Sequence, residues 1–154
     1  MLFLNIVTET ALIASLGATA FIVFAMPKTY SSAPRRLIGG YTVGISIGII
    51  FFYLENRIHY LSIIEPQINH PLSYVLAAIA VGLTIFIMTV TNTEHAPAAG
   101  ISLGLVINQW DITSLLFIIT SMLVMVGVKC LLKPYLINLS SPSTHDQLFP
   151  ENPD

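Results

Sequence analysis

The sequence predicts an all-α, polytopic helical membrane protein with four to five transmembrane segments, one of which is short or broken. Of the 154 residues, 55% are hydrophobic and only 9% are charged, whereas an average soluble domain has about 25% charged residues. The apolar residues gather into stretches close to the ~20 residues that a bilayer-crossing helix needs. Polar connectors separate these stretches. Because so little charge is available for a solvated surface, the composition excludes a soluble globular enzyme.

The first two apolar stretches are bounded by proline and by charge. The first runs from about residue 11 to residue 26, and Pro27 ends it because proline cannot continue a helix. A connector rich in serine and proline follows and closes with Arg35 and Arg36. The second stretch, residues 37–54, has the length of one bilayer crossing.

Two further stretches predict ordinary crossings. After a polar loop at residues 55–69, Asn69 can cap a helix that runs from residue 72 to about residue 90. The last apolar stretch, residues 112–132, is followed by Lys133 and Pro134. These boundaries predict a third and a final transmembrane helix.

The segment at residues 96–107 is too short to cross the bilayer as an ordinary helix. If it is re-entrant, four crossings place the cations of the first connector and those of the last helix end on opposite sides. If it crosses, all five of these cations share one side, which the positive-inside rule favours. We therefore expect a short fifth crossing and an external amino terminus. The five cations are Lys28, Arg35, Arg36, Lys129 and Lys133.

Small residues predict the helix contacts. Gly40, Gly44 and Gly48 recur every four residues and so lie on one face of the second helix. In lipid, such a face lets two backbones approach closely. We expect this face to pack on another helix, with a pore-lining role as the alternative.

The sequence around His95 is the strongest candidate site. Pro97 suits a first helical turn, so Glu94-His95-Ala96-Pro97 predicts a helix that begins at or within membrane depth. A helix start presents unpaired N–H groups and the positive end of the helix dipole, a combination that binds anions. Glu94 and His95 are also adjacent titratable groups and candidates for proton coupling.

Other chemistries have little support. His59, His70 and His95 lie in three different loops or helix ends without metal-ligand spacing, so we predict no metal and no cofactor. No nucleophile pattern suggests an enzyme. The scattered cations predict no nucleic-acid binding. Arg35 and Arg36 are interpreted as topology anchors, with an anion-gathering vestibule as the alternative.

Three sequence blocks resemble the HPP family of small integral membrane proteins. They are Ser-Leu-Gly-Ala-Thr-Ala with Phe-Ala-Met-Pro at residues 15–20 and 24–27, Ala-Pro-Arg through Ile-Gly-Gly at residues 33–40, and His-Ala-Pro-Ala-Ala-Gly at residues 95–100. The similarity extends over about residues 11–136. The family is named for a His-Pro-Pro motif, whose middle position is Ala96 here, and Tyr41 stands where histidine is common.

The resemblance implies a transporter or channel for a small inorganic anion of the nitrite type in the bacterial inner membrane. It also implies a transmembrane domain at residues 1–136, while the polar composition of residues 137–154 predicts a disordered tail. The motif match implies roles for Gly17, Ala18, Thr19, Pro34, Arg35, His95, Pro97 and Gly100.

A short internal similarity suggests an inverted repeat. Gly17-Ala18-Thr19 and Gly100-Ile101-Ser102 each begin an apolar run, and with five crossings their units are inverted relative to each other. We hypothesise that Thr19 and Ser102 frame one anion site. A structure that places these hydroxyls on different faces of the bundle would contradict the hypothesis.

Two functions from different classes therefore stand as hypotheses. In the first, an anion binds the N–H groups at the helix start of residues 95–100, assisted by Thr19 or Ser102. In the second, the chain is a non-transporting membrane assembly or accessory protein whose glycine faces dock partner helices. A hydrated cavity at His95 favours transport and a dry, packed His95 favours assembly. Either way we expect contact with membrane lipid and a homo-oligomer.

Overall fold

All of the regular secondary structure in the described part of the chain is helical. The computed structural model describes residues 2–61, 69–107, 112–132 and 134–135. The predicted tail at residues 137–154 lies outside this part. The described helices are α1 (Leu2–Ala25), the short 3₁₀ helix η1 (Tyr30–Ser32), α2 (Pro34–Leu61), α3 (Asn69–Val90), α4 (Ala96–Ile107) and α5 (Ile112–Leu132). The helical membrane fold predicted from composition is confirmed.

Within the described residues, three helices are long and apolar enough to cross a membrane, namely the segments Pro34–Ile58, Ser73–Val90 and Ile112–Leu132. Two apolar helical segments are shorter, Ala11–Ala25 and Ala96–Ile107. The latter is α4, whose 12 residues extend about 18 Å at ~1.5 Å per residue. The hydrocarbon core of a bilayer is about 30 Å thick.

Helix α2 is longer than the predicted apolar stretch at both ends. Pro34 is its first residue, a position where proline loses no hydrogen bond. At the other end the helix continues from Glu55 to Leu61, so the prediction of a loop that starts at residue 55 is wrong. Charge ends an apolar span because it leaves the hydrocarbon, but it does not interrupt backbone hydrogen bonding.

The short helix α4 lies at the centre of the bundle. It contacts α1, α2 and α3. Eight of its residues are buried, whereas most of the α5 surface is exposed. The centre of the core consists of α4 residues together with side chains of the surrounding helices, among them Val23, Leu37, Ile101, Leu105 and Ile118.

Contacts along α4 show its direction. Gly40 faces His95 and Gly48 faces Leu105, so α4 runs parallel to α2. Ser15 faces Gly100 and Leu12 faces Gly104, so α4 runs antiparallel to α1. Helix α5 then returns, because Lys129 near its end bonds to Ser32 in η1.

In this chain path the helix direction alternates, as the prediction of a short crossing requires, and the crossing itself stays a prediction. Five parts of the chain meet at one end of the bundle, which we call the η1 end. They are the end of α1, η1, the start of α2, the start of α4 and the end of α5. Four of the five cations counted for topology belong to described residues and lie in segments at this end, namely Lys28, Arg35, Arg36 and Lys129. Lys133 lies outside the described residues.

Candidate functional site

His95 lies at the η1 end, in the loop that joins α3 to α4, and none of its surface is exposed. Its Nδ1 is 3.1 Å from the carbonyl oxygen of Ser31. A carbonyl can only accept, so Nδ1 donates its proton there and Nε2 is the acceptor of the neutral ring. Nε2 lies 3.0 Å from the hydroxyl oxygen of Thr19. Both ring nitrogens therefore have a defined partner on a different element.

Thr19 connects His95 to two further groups. Its Oγ1 lies 2.8 Å from the hydroxyl of Tyr41 and 2.9 Å from the carbonyl oxygen of Ser15. The single hydroxyl proton of Thr19 can be donated either to Nε2 of neutral His95 or to the carbonyl oxygen of Ser15. When Nε2 is protonated it donates to Thr19, and the threonine proton turns to Ser15. The network accepts a proton by rotating one hydroxyl group.

The surroundings of His95 favour the neutral ring. Burial lowers the pKa of His95, because a charged imidazolium loses hydration inside the bundle. The hydrogen bond to the Ser31 carbonyl opposes this shift. The ring of Tyr41 packs beside the imidazole with centroids 5.7 Å apart.

The short helix η1 lies beside His95, and each of its three residues bonds to a different partner. Tyr30 donates to the side-chain oxygen of Asn92. Ser31 donates to the carbonyl oxygen of Glu94 at 3.2 Å. Ser32 accepts from the ammonium of Lys129. Through these bonds η1 joins the loop before α4 to the end of α5.

The two neighbouring arginines have different surroundings. Arg35 is exposed, whereas Arg36 is only 8% exposed. Nη2 of Arg36 donates to the side-chain oxygen of Asn92 at 2.8 Å, and its guanidinium lies over the ring of Tyr30. Nη1 is buried and has no hydrogen-bond partner within the described part of the chain.

The start of α4 offers fewer free amides than the sequence suggested. Pro97 has no N–H group, and the N–H of Ala98 donates to the carbonyl oxygen of His95 at 2.9 Å. Helix α2 also covers this turn, because a Cβ at Gly40 would lie 2.8 Å from the Cβ of His95. The start of α4 is therefore not distinguished by a row of unpaired N–H groups.

The glycines predicted to mediate packing lie against α4. A Cβ added to Gly44 would collide with the carbonyl oxygen of Ala98, and one added to Gly48 would lie 2.9 Å from the Cβ of Leu105. On the α1 side, a Cβ at Gly100 would collide with the hydroxyl of Ser15. The backbones of α2 and α4 approach closely because these side chains are absent.

The structure brings together only part of the set predicted from sequence. Thr19 and His95 are in contact, and Pro97 is buried at the start of α4. Gly17 and Ala18 are exposed on α1. Glu94 is exposed, whereas the neighbouring His95 is buried.

The two hydroxyls of the suggested repeat occupy different levels of the bundle. Ser102 is buried but donates to the carbonyl of Ala99 within α4, at 2.8 Å, and its Cα faces Gly48. It lies seven residues beyond His95, which is about 10 Å along a helix. Thr19 bonds at the level of His95. The structure therefore does not join these two hydroxyls in one site.

Sequence reasoning missed Tyr41, Ser31, Ser32 and Lys129 as neighbours of the site. One pattern could have indicated the α1 part, because Ser15 and Thr19 are polar residues one helical turn apart in an apolar stretch. The side chains of His59 and His70, considered as metal ligands, lie outside the described part of the structure.

Comparison with known proteins identifies the family. A family model described as "HPP, transmembrane region" matches residues 1–141. The chain belongs to the HPP family. His95 is the buried histidine at the centre of this HPP protein's hydrogen-bond network. It is also the first residue of His-Ala-Pro, which stands here in place of His-Pro-Pro.

One curated relative is a protein of Dictyostelium discoideum whose name describes it only as a transmembrane protein. It is 32% identical over 92 residues, which is 60% of this HPP chain and 28% of the relative. The chain thus corresponds to less than a third of that relative's length. No solved structure matches the HPP chain.

Proposed function

We propose that this HPP protein carries a small, singly charged inorganic anion such as nitrite across the bacterial inner membrane, with His95 as the proton-binding residue. The supporting observation is a titratable imidazole bonded through both nitrogens inside the bundle, at the start of a helix shorter than the hydrocarbon core is thick. Titratable residues inside membrane bundles are costly and usually belong to ion or proton pathways.

Proton binding at His95 has an energetic purpose in this proposal. Moving one negative charge inward against the membrane potential costs about 2.3 kcal/mol per 100 mV. A proton that travels with the anion cancels this cost. Thr19 supports the step, because its hydroxyl accepts from protonated Nε2 while donating to Ser15. The positive imidazolium, rather than a row of amides, then attracts the anion.

The experiment is nitrite flux into proteoliposomes with and without an imposed pH gradient. We expect flux that increases when the side supplying nitrite is acidic. His95→Gln should abolish this pH dependence, and Glu94→Gln should retain it because the Glu94 residue lies outside the buried network. Thr42→Val is a matched control, since Thr42 is exposed next to Tyr41. Absence of nitrite flux, or equal flux in native protein and His95→Gln, would contradict the proposal.

A second candidate function is membrane assembly without transport. The complete burial of His95 and the close packing of α2 on α4 favour it. In this case His95 holds η1, α1 and α4 together, and the exposed helix faces meet partner helices or further copies of the chain. Reaction of His95 with diethylpyrocarbonate in liposomes separates the two candidates. Transport requires His95 to become accessible, whereas assembly predicts lasting protection and no flux.

A further inference from the structure

We infer that Arg36 is an anion-binding residue, separate from His95, that holds a small singly charged oxyanion at its Nη1 beside η1. The inference deepens the proposed function and rests on it for the class of anion. It starts from an unusual feature. Arg36 is 8% exposed, yet its buried Nη1 has no hydrogen-bond partner among the residues that the structure describes.

The guanidinium is held in one orientation by its other contacts. Nη2 donates to Asn92, and the plane of the group lies over the Tyr30 ring. Tyr30 donates to the same Asn92 oxygen, so that acceptor is already used twice. Asn92 itself has a left-handed backbone conformation, with φ of 55°. The two N–H bonds of Nη1 are therefore presented by a preorganised group.

An anion explains the free nitrogen better than a water molecule does. A guanidinium remains charged in proteins, and a buried charge is costly unless it is paired. Water can accept hydrogen bonds from Nη1 but cannot neutralise the charge. A small oxyanion can do both, because charge-assisted bonds from arginine to oxyanions are among the strong ones.

Neighbouring groups raise the local positive potential. Two of the three residues of η1 contact a cation: the ring of Tyr30 lies under Arg36, and Ser32 accepts from Lys129. Arg35 is exposed close by and Glu94 is exposed on the same end of the bundle. Arg35, Arg36 and Lys129 outnumber Glu94 among these groups, so the electrostatic potential at the η1 end attracts anions.

The adjacent arginines supply a matched experiment. Arg36→Gln and Arg35→Gln remove the same charge one residue apart, the first from the buried site and the second from the surface. Full-length protein in detergent is titrated with sodium nitrite, with sodium gluconate keeping the ionic strength constant, and binding is measured by calorimetry. We expect Arg36→Gln to weaken nitrite binding at least about ten-fold, the effect of losing a charge-assisted hydrogen bond, and Arg35→Gln to change it less than about two-fold.

If Arg36→Gln does not fold, Arg36→Lys and Arg35→Lys replace the pair. Lysine keeps the charge but not the fixed planar donors, so Arg36→Lys should weaken binding several-fold and Arg35→Lys should leave it unchanged. Equal effects at the two positions, or no binding by native protein, would overturn the inference. Because calorimetry needs no transport, Arg36-dependent binding without flux would refute the proposed function alone, and flux with no Arg36-dependent binding would refute this inference alone.

Discussion

At the scale of single residues, the hydroxyl of Thr19 is shared by three groups that belong to three different elements. Thr19→Val keeps the shape and removes every one of these hydrogen bonds. It leaves Tyr41 and Nε2 of His95 without their described partner inside the bundle. We expect the free energy of unfolding to fall by about 1–3 kcal/mol, the cost of unsatisfied buried polar groups.

This prediction is checked by denaturation in detergent monitored by circular dichroism. Thr19→Ser retains the hydroxyl and should lose much less stability. Thr42→Val removes an exposed hydroxyl from α2 and should be close to neutral. Equal stability of Thr19→Val and Thr42→Val would show that the network contributes nothing to folding.

The pKa of His95 also predicts how stability depends on pH. Because burial lowers this pKa in the folded protein, the unfolded chain binds a proton first as the pH falls below about 6.5. Stability associated with neutral His95 is therefore fully present above that pH and is lost as the pH falls toward the folded pKa. The groups that face the ring are Thr19, Tyr41 and Ser31, and none of them carries a counter-charge.

Melting temperatures between pH 7.5 and pH 5 measure this effect. The native protein should lose stability on acidification, and His95→Gln should show a smaller loss over the same interval. A steeper loss in His95→Gln than in the native protein would mean that His95 is not the group responsible.

At the scale of elements, the contact of α2 with α4 depends on glycine. A methyl group at Gly44 would collide with the carbonyl oxygen of Ala98, a backbone atom that cannot rotate away. We expect Gly44→Ala to separate the two helices and to lower the free energy of unfolding by about 1–3 kcal/mol, as overpacking does.

Gly82 supplies the control for this substitution. It lies exposed in the interior of α3, and a Cβ there would meet no atom of the described residues within 4 Å. Gly82→Ala should leave stability unchanged or raise it by up to about 1 kcal/mol, because alanine is the better helix former. If both variants were equally stable, close backbone approach would not be important for this bundle.

Helix boundaries show how far sequence reasoning reaches at this scale. Pro27 ends α1 as expected, since α1 stops at Ala25. The start of α4 at Ala96 is also where the Pro97 pattern placed it. The continuation of α2 from Glu55 to Leu61 was missed because hydropathy locates the hydrocarbon boundary, whereas hydrogen bonding sets the helix end.

At the scale of the whole molecule, the five described α-helices alternate in direction and bring the connector cations and the end of α5 to the same end. Single cysteines test this arrangement in a Cys130→Ser background, because native Cys130 is exposed. Lys28→Cys and Tyr135→Cys should react with a membrane-impermeant maleimide from the same side. Asn56→Cys, at the far end of the candidate span in α2, should react from the opposite side.

Four crossings with a re-entrant α4 make a different prediction. In that arrangement Lys28→Cys and Tyr135→Cys would label from opposite sides. Labelling on intact and on permeabilised spheroplasts therefore distinguishes the two topologies directly. The positive-inside rule adds that the shared side is the cytoplasmic one.

Composition and spacing alone determined the membrane class, the apolar stretches that form the described α-helices, and the glycine face of the second helix. These properties are local, because the solvent preference of a stretch and the four-residue period of a helix are contained in neighbouring residues. The contacts of His95 with Ser31 and Thr19 span 64 and 76 residues. Only tertiary structure could decide them, and it alone separated buried Arg36 from exposed Arg35, because burial depends on how distant helices pack.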